Sequence, residues 1–407
     1  MASVTVATSA ALPLGMAGGQ AAYQVKARSA AWSTCRASRP SSLPLSSARL
    51  STCKQRRISL AGRTSRRLVV VSDATTTYTL PDISDEKLAE HYLAGPLASS
   101  SDASNTALLR SLADRLGRHL GWDVETDSLD QQKFRRLFHY YIPTYLWAKK
   151  QLAKRQESGD SSPLVVSISA PQGCGKTTLV TALQVLFTQD GITPAIVSLD
   201  DFYLTYEEQC ALAASFPGNE LLEFRGNAGT QDQALMKQTI SSLRSGTPVK
   251  IPRYDKSQHG GRGDRVPESE WETVSNADIV LLEGWMLGFS SLPKDEVTAV
   301  DERLVPVNEF LEGFQECVYD QTDCWMVLQV ADPNFVYEWR LQAEHGMRAR
   351  GKPGLSDDQV ADFVSRFMPA YQAYLPKLYK DAPPGGVEKE ILRIAIDRDR
   401  NVMEVAQ

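Results

Sequence analysis

The chain has 407 residues, of which 44 are basic, 49 acidic and 42% hydrophobic. Its first 72 residues hold eleven Lys or Arg and no acid, so the remaining 335 carry 33 bases against 49 acids, a formal charge of −16. A body that acidic is a poor general nucleic-acid binder, and no stretch approaches membrane-spanning length; 335 residues are enough for one large α/β domain with a smaller helical addition.

Residues 1–72, rich in Ser, Thr and Ala, cannot bury a core and read as a chloroplast transit peptide, with processing near Arg67 to Ser72. The opening MASVTVATSAALPLGMAGG is uncharged and the first base is Lys26, whereas a mitochondrial presequence would be basic and amphipathic from the start. The chloroplast stroma is the expected compartment; an unstructured arm that binds nucleic acid is the alternative. Residues 73–163 are expected to be helical. Leu108, Leu109, Leu112 and Leu116 recur at helical spacing, as do Phe134, Leu137, Phe138 and Tyr141. Pro143 then kinks or restarts the helix. Nothing in this region carries obvious chemistry, and Gln156 to Pro163 reads as a polar linker. Cys35 and Cys53 belong to the leader, while Cys174, Cys210, Cys317 and Cys324 show no C-x-x-C spacing, so neither a zinc site nor a disulfide framework is indicated.

Residues 164–407 are organised around a phosphate cradle. The apolar run Leu164 to Ser169 predicts a strand, and Ala170 to Thr178, APQGCGKTT, predicts a tight loop opening a helix. Gly173, Cys174, Gly175, Lys176, Thr177 and Thr178 would surround the phosphates of ATP with backbone N–H groups and a helix N-terminus. Lys176 would reach the β- and γ-phosphates, and the Thr177 hydroxyl would face Mg²⁺. The pattern's first glycine is Ala170 here, which requires an ordinary β-region backbone at that point. Cys174 sits beside Lys176 and a helix N-terminus, surroundings that lower a thiol pKa; a small packed side chain is the alternative.

Pro194 to Leu199 predicts a second strand, ending at Asp200, Asp201 and Tyr203, where a parallel sheet places its ligand crevice. A carboxylate there can take a proton from an attacking hydroxyl, with Asp200 the candidate base and Asp201 and Tyr203 candidates for the acceptor site; a helix N-cap with its neighbour in the first turn is the alternative. Next come PGNELLEFRGNAG, containing Arg225, and VKIPRYDKSQHGGRGDR, a glycine-rich stretch with Lys250, Arg253, Lys256, Arg262 and Arg265. Clustered cations on permissive backbone in an acidic protein suggest capture of a small anion; a solvated loop is the alternative. Ile279 to Gly284 predicts a third strand, ending in Glu283 as a Mg²⁺-side carboxylate. Trp325 to Val330 and Ile391 to Ile396 predict the fourth and fifth. Five such strands separated by helices give a P-loop-type, doubly wound parallel α/β sheet. After the fourth, Asp332 and Pro333 suit an N-cap and first helical residue, and Ser356 to Gln359 a capping box. The basic hairpin between suits a lid that stabilises the transferring phosphoryl group; spacing does not choose its arginine, and Arg348 is the candidate carried forward.

From about Gln131 to Ile396 the chain resembles the plant glycerate kinases. The resemblance is carried by SISAPQGCGKTTLV, SLDDFYL, PGNELLEFRGNAGTQD, PRYDKSQHGGRGDR, LLEGWMLGF, YEWRLQAE and FVSRFMPAYQAYLPKLY. It implies kinship with phosphoribulokinase, uridine kinase and pantothenate kinase, and phosphorylation of D-glycerate by ATP with Mg²⁺ in photorespiration. It further implies Asp200 as base, Glu283 on the metal side, and Tyr254, Asp255, His259 and Arg262 in the acceptor site. A monomer without nucleic-acid or membrane partners is expected. Two rival readings remain: ribulose 5-phosphate or a nucleoside as acceptor, or a nucleotide-dependent switch. Against the switch, no N-K-x-D segment follows the phosphate loop.

Overall fold

A computed structural model describes residues 77–124, 128–351, 354–385 and 388–403. The expected leader, residues 1–72, and its expected processing point lie outside the described residues. Six strands form the central sheet: β1 (Leu164–Ser169), β2 (Pro194–Ser198), β3 (Ile279–Gly284), β4 (Cys324–Val330), β5 (Ile391–Ile396) and β6 (Val402–Met403). Their spatial order is β6-β5-β4-β1-β3-β2. The first five strands pair in parallel, as expected. β6 adds an antiparallel edge that the sequence reading does not contain, with Ala395 opposite Met403. It is two residues long and follows Arg400 at φ 63°, too short to leave a periodic signal.

Every residue of β1 and β3 is buried, which is why both read as unbroken apolar runs. Leu164, Val166 and Ile168 face one hydrophobic layer and Val165 the other. The first layer contains α1 (Thr106–Leu120), α2 (Ile142–Glu157) and α3 (Lys176–Gln189). The region preceding β1 therefore shares a core with the sheet. α1 starts where the Asn105 side chain accepts from Leu108 N at 3.1 Å, and ends at Gly121, φ 70°. It buries Leu109, Leu112, Ala113 and Leu116, so Leu112→Ala should cost about 2–5 kcal/mol. A π-helical turn, Arg136–Tyr141, leads into α2. It lies just before Pro143, whose ring and missing N–H disrupt regular helix.

The second layer includes α4 (Gln233–Arg244) and α7 (Met368–Lys380). α5 (Phe335–Ala349) and α6 (Asp357–Ser365) form the basic hairpin between β4 and α7. The expected Ser356/Gln359 capping box opens α6. At α5 the expectation shifts by two residues. Asp332 accepts from Asn334 N at 2.9 Å and holds the approach, while Asn334 is the cap residue. Among the described residues no helix is long and apolar enough to cross a membrane.

Candidate active site

The loop after β1 turns into α3 through Gly173 (φ 78°) and Gly175 (φ 97°), conformations that side-chain-bearing residues rarely adopt. The two glycines differ in their surroundings. A Cβ at Gly175 would meet nothing within 4 Å, whereas one at Gly173 would come within 2.8 Å of Trp339 Cβ on α5. Ala170 is buried, donates its N–H to Gly284 O at 3.2 Å and keeps a negative φ, so its methyl is accommodated. Gln172 N donates to the Tyr371 hydroxyl at 3.0 Å, anchoring the loop to α7.

Lys176 opens α3, and its ammonium lies 2.9 Å from Glu283 Oε2. Burial would lower its pKa, but the carboxylates of Glu283 and Asp200 outweigh burial and raise it. Register brings Glu283 beside the end of β2, where Ser198 Oγ donates to Glu283 Oε1 at 2.6 Å. Glu283 Oε2 is buried, and the Lys176 ammonium is its one close partner among the described residues. A buried carboxylate oxygen with one cationic partner and a lone pair to spare, at a strand end beside the loop that leads to the exposed Thr177, fits a divalent cation. Among the described residues no three His, Cys, Asp or Glu side chains cluster as a cage.

Cys174 overturns one expectation. Its side chain is buried, and burial pushes the thiol up to about 11 despite Lys176 nearby. Desolvation of a thiolate outweighs the loop's positive potential, so the thiol is packed rather than activated.

The two aspartates after β2 point to different partners. Asp201 accepts from Arg253 at 3.1 Å and Tyr254 N at 3.2 Å, fastening the next hairpin to the sheet. Burial pushes its carboxyl up to about 6. Asp200 accepts from the Tyr203 hydroxyl at 2.9 Å and from Lys256 Nζ at 2.6 Å. Burial would raise its pKa, but Lys256 and Lys176 outweigh burial and hold it below the usual carboxylate range. An ionised carboxylate beside the lysine of the phosphate loop is placed to accept a proton from a nucleophile there.

The glycine-rich cationic stretch forms two short ribbons, Val249–Ile251 with Glu272–Val274 and Tyr254–Asp255 with Asp264–Arg265. Several of its candidate ligands are committed elsewhere. Arg253 bridges Asp201 and Glu272, and Asp255 accepts from Ser257 N at 2.8 Å and shapes the turn. His259, at φ 49°, lies 2.9 Å from Asp264 and stacks on Tyr206 at 3.9 Å. Arg225 donates to the carbonyls of Gly261 and Arg262 and lies over the Tyr254 ring. Tyr203 and Tyr254 meet edge to face. The Arg262 guanidinium sits 5.1 Å from the Tyr206 ring and 5.2 Å from Phe224, held by aromatic faces. Arg366, just after α6, covers Phe224 at 4.3 Å. Arg348 pairs with Asp357 at 2.6 Å, and among the described residues no hydrogen bond or ion pair joins it to the phosphate loop.

Residues 165–383 match the Phosphoribulokinase / Uridine kinase family. The chain belongs to that family. It is 49% identical over 275 residues to the chloroplastic D-glycerate 3-kinase of Arabidopsis thaliana, covering 65% of this chain but 60% of that protein, under two thirds of its length. A probable ATP-dependent kinase of Saccharomyces cerevisiae is 34% identical over 264 residues, 60% of this chain and 89% of that one. The structure of D-glycerate 3-kinase from Cryptococcus neoformans superposes with a TM-score of 0.59 at 32% identity, covering 65% of this chain and 97% of that one.

The family match covers one wall of a cleft against the phosphate loop. Its volume is about 290 Å³, and it is lined by Arg136, Tyr140, Tyr141, Gly173, Cys174, Gly175, Thr178 and Arg400. Four of these eight residues fall outside 165–383, three of them on the π-helical turn of the region that sequence reading leaves without chemistry. Arg400 donates to Gly173 O at 2.8 Å and covers Trp339 at 4.9 Å. The Tyr140 hydroxyl is buried with no hydrogen-bond partner. No periodicity or motif marks Arg136, Tyr140 or Arg400, because their role comes from two distant segments meeting.

Proposed function

We propose that this protein transfers the γ-phosphoryl group of ATP to the 3-hydroxyl of D-glycerate. The observation that carries this reading is Asp200, ionised, set between the lysine of the phosphate loop and the cationic hairpin. The 3-hydroxyl oxygen bonds to the γ-phosphorus as the bond to the β,γ-bridging oxygen breaks, leaving ADP, and Asp200 receives the hydroxyl proton. The loop amides and Lys176 hold the phosphates. Arg262, fixed between two rings, faces the substrate carboxylate with Tyr254 beside it. Thr177 and Glu283 would hold Mg²⁺, which supplies charge neutralisation on the phosphates. The cleft beyond Gly173 takes the base and ribose, with the Tyr140 hydroxyl and the Arg136 and Arg400 guanidiniums as donors. The two glycerate 3-kinases among the relatives support the choice of acceptor.

The test is ADP release with D-glycerate, L-glycerate, ribulose 5-phosphate, uridine and pantothenate. Preference for D-glycerate is expected, with phosphate on O3 of the product; preference for ribulose 5-phosphate or uridine would replace the acceptor. The acid-free leader and the Arabidopsis relative support a stromal, photorespiratory setting. Import of the labelled chain into isolated chloroplasts, with loss of about the leader's mass, tests that.

A further inference from the structure

Both oxygens of Asp200 are occupied, Oδ1 by the Tyr203 hydroxyl at 2.9 Å and Oδ2 by the Lys256 ammonium at 2.6 Å. A carboxylate held in this way is a poor proton acceptor, because protonation would have to displace a charge-assisted hydrogen bond. The two partners differ in how firmly they are held. Tyr203 is buried in the same turn as Asp200. Lys256 reaches in from the ribbon turn with its side chain 56% exposed, on a flexible stem, and exposed ion pairs of this kind are weak. The other cations of the ribbons are engaged away from Asp200. Arg253 pairs with Asp201 and Glu272, Arg265 with Asp232, Lys250 with Glu268, and Arg262 lies between rings.

We propose that Lys256 is a latch on Asp200 that an anionic acceptor opens: the substrate carboxylate draws the Lys256 ammonium off Oδ2, and the hydroxyl of the same molecule takes the vacated position. This rests on the glycerate reading above. The carboxylate and 3-hydroxyl of a three-carbon acid stand roughly 4 Å apart. One ammonium, now 2.6 Å from Oδ2, can therefore hold the carboxylate while the hydroxyl meets Asp200. Water and neutral polyols lack the charge that opens the latch. Lys256 thus chooses acids over neutral alcohols and restrains transfer to water. It acts as a specificity and positioning residue, while Asp200 takes the proton.

The test compares the full chain with Lys256→Met, which keeps the stem without the charge, and Lys256→Arg. Three quantities are read: kcat and KM for D-glycerate, phosphorylation of glycerol, and ADP release with no acceptor. In Lys256→Met the KM for glycerate should rise at least about tenfold, and the preference for glycerate over glycerol should fall about a hundredfold, as expected on losing a charge-assisted contact. ADP release without acceptor should increase, and Lys256→Arg should restore most of the preference. The acid limb of the kcat profile should move to higher pH in Lys256→Met. The groups that would still set that limb are Lys176 from the phosphate loop, Asp201 and Tyr203 from the same turn, and Tyr371 from α7. An unchanged glycerate KM in Lys256→Met overturns the latch. So do equal losses on glycerate and glycerol with unchanged acceptor-free ADP release, the mark of a structural residue. A wild-type chain that ignores glycerate overturns the acceptor reading instead, and that result is read before any variant is made.

Discussion

The two sides of the site are built in opposite ways. On the phosphate side, one strand, one loop and one helix supply the groups in a single run of nine residues, Ala170 to Thr178, and backbone geometry does most of the positioning. On the acceptor side, the groups come from the turn after β2, from the segment around Phe224 and Arg225, and from two short ribbons, joined by ion pairs and ring faces. A site written in backbone leans on few side-chain partners, here the Tyr371 hydroxyl and the Arg400 guanidinium. One written in side-chain pairs depends on every partner, and can be reset by a ligand that competes for one of them.

Substitutions can break this contrast. Asp200→Asn should lower kcat by about 10²–10⁴ with little change in ATP binding, because an amide cannot take the hydroxyl proton. If Asp201→Asn proves the more damaging change, the roles of the pair are reversed. Lys176→Ala should leave a folded protein and cost about 10²–10³ in rate, the loss typical of one preorganised charge donor. Normal turnover in that variant would remove the phosphate-side reading. Arg262→Ala should raise the KM for glycerate about ten- to a hundredfold and leave the KM for ATP unchanged. Equal rises for both substrates would merge the two sides into one. Arg253→Ala, by contrast, should loosen the ribbon, since Arg253 ties Asp201 to Glu272.

A gentler probe is Asp201→Asn read by melting temperature between pH 4 and 8. With the folded carboxyl near 6 and the unfolded one near 3.8, the unfolded state is the first to release its proton as pH rises. Wild-type stability should therefore fall across that interval by about 3 kcal/mol and level off above it, and the amide should abolish the fall. The smallest effect is expected at Cys174. At pH 8 about one thiol in a thousand would be ionised, so thiol reagents should leave activity intact and Cys174→Ser should turn over normally. Rapid inactivation prevented by MgATP would restore the reactive-thiol expectation.

What could be read from sequence follows the same division. β1 and β3 are apolar throughout because both of their faces are covered, and the glycines of the loop are required by positive φ. Those constraints leave marks in consecutive letters. The cation-rich ribbon was visible as composition, yet composition did not show that Arg253 holds Asp201, or that Asp255 serves its own turn. Tyr140 and Arg400 are 260 residues apart in sequence and share one cleft, and neither belongs to a repeating pattern. Cys174 misled because neighbours in sequence suggest charge, while burial is set by the layers packed over the loop.

The unlike surroundings of Gly173 and Gly175 bear on heredity as much as on chemistry. Both glycines hold a positive φ, so a side chain strains either one; at Gly175 it meets no neighbour within 4 Å, in space assigned above to the phosphates, so the cell would keep more of an inert protein, able to occupy whatever place the active one holds. At Gly173 the same change drives into Trp339, whose indole donates to Arg398 O at 2.7 Å and carries the Arg400 guanidinium, so the damage spreads to α5 and the chain end. That allele would be recognised by scarcity of the protein, the first by its abundance without activity. Two codons apart, the loop separates a loss of quantity from a loss of quality.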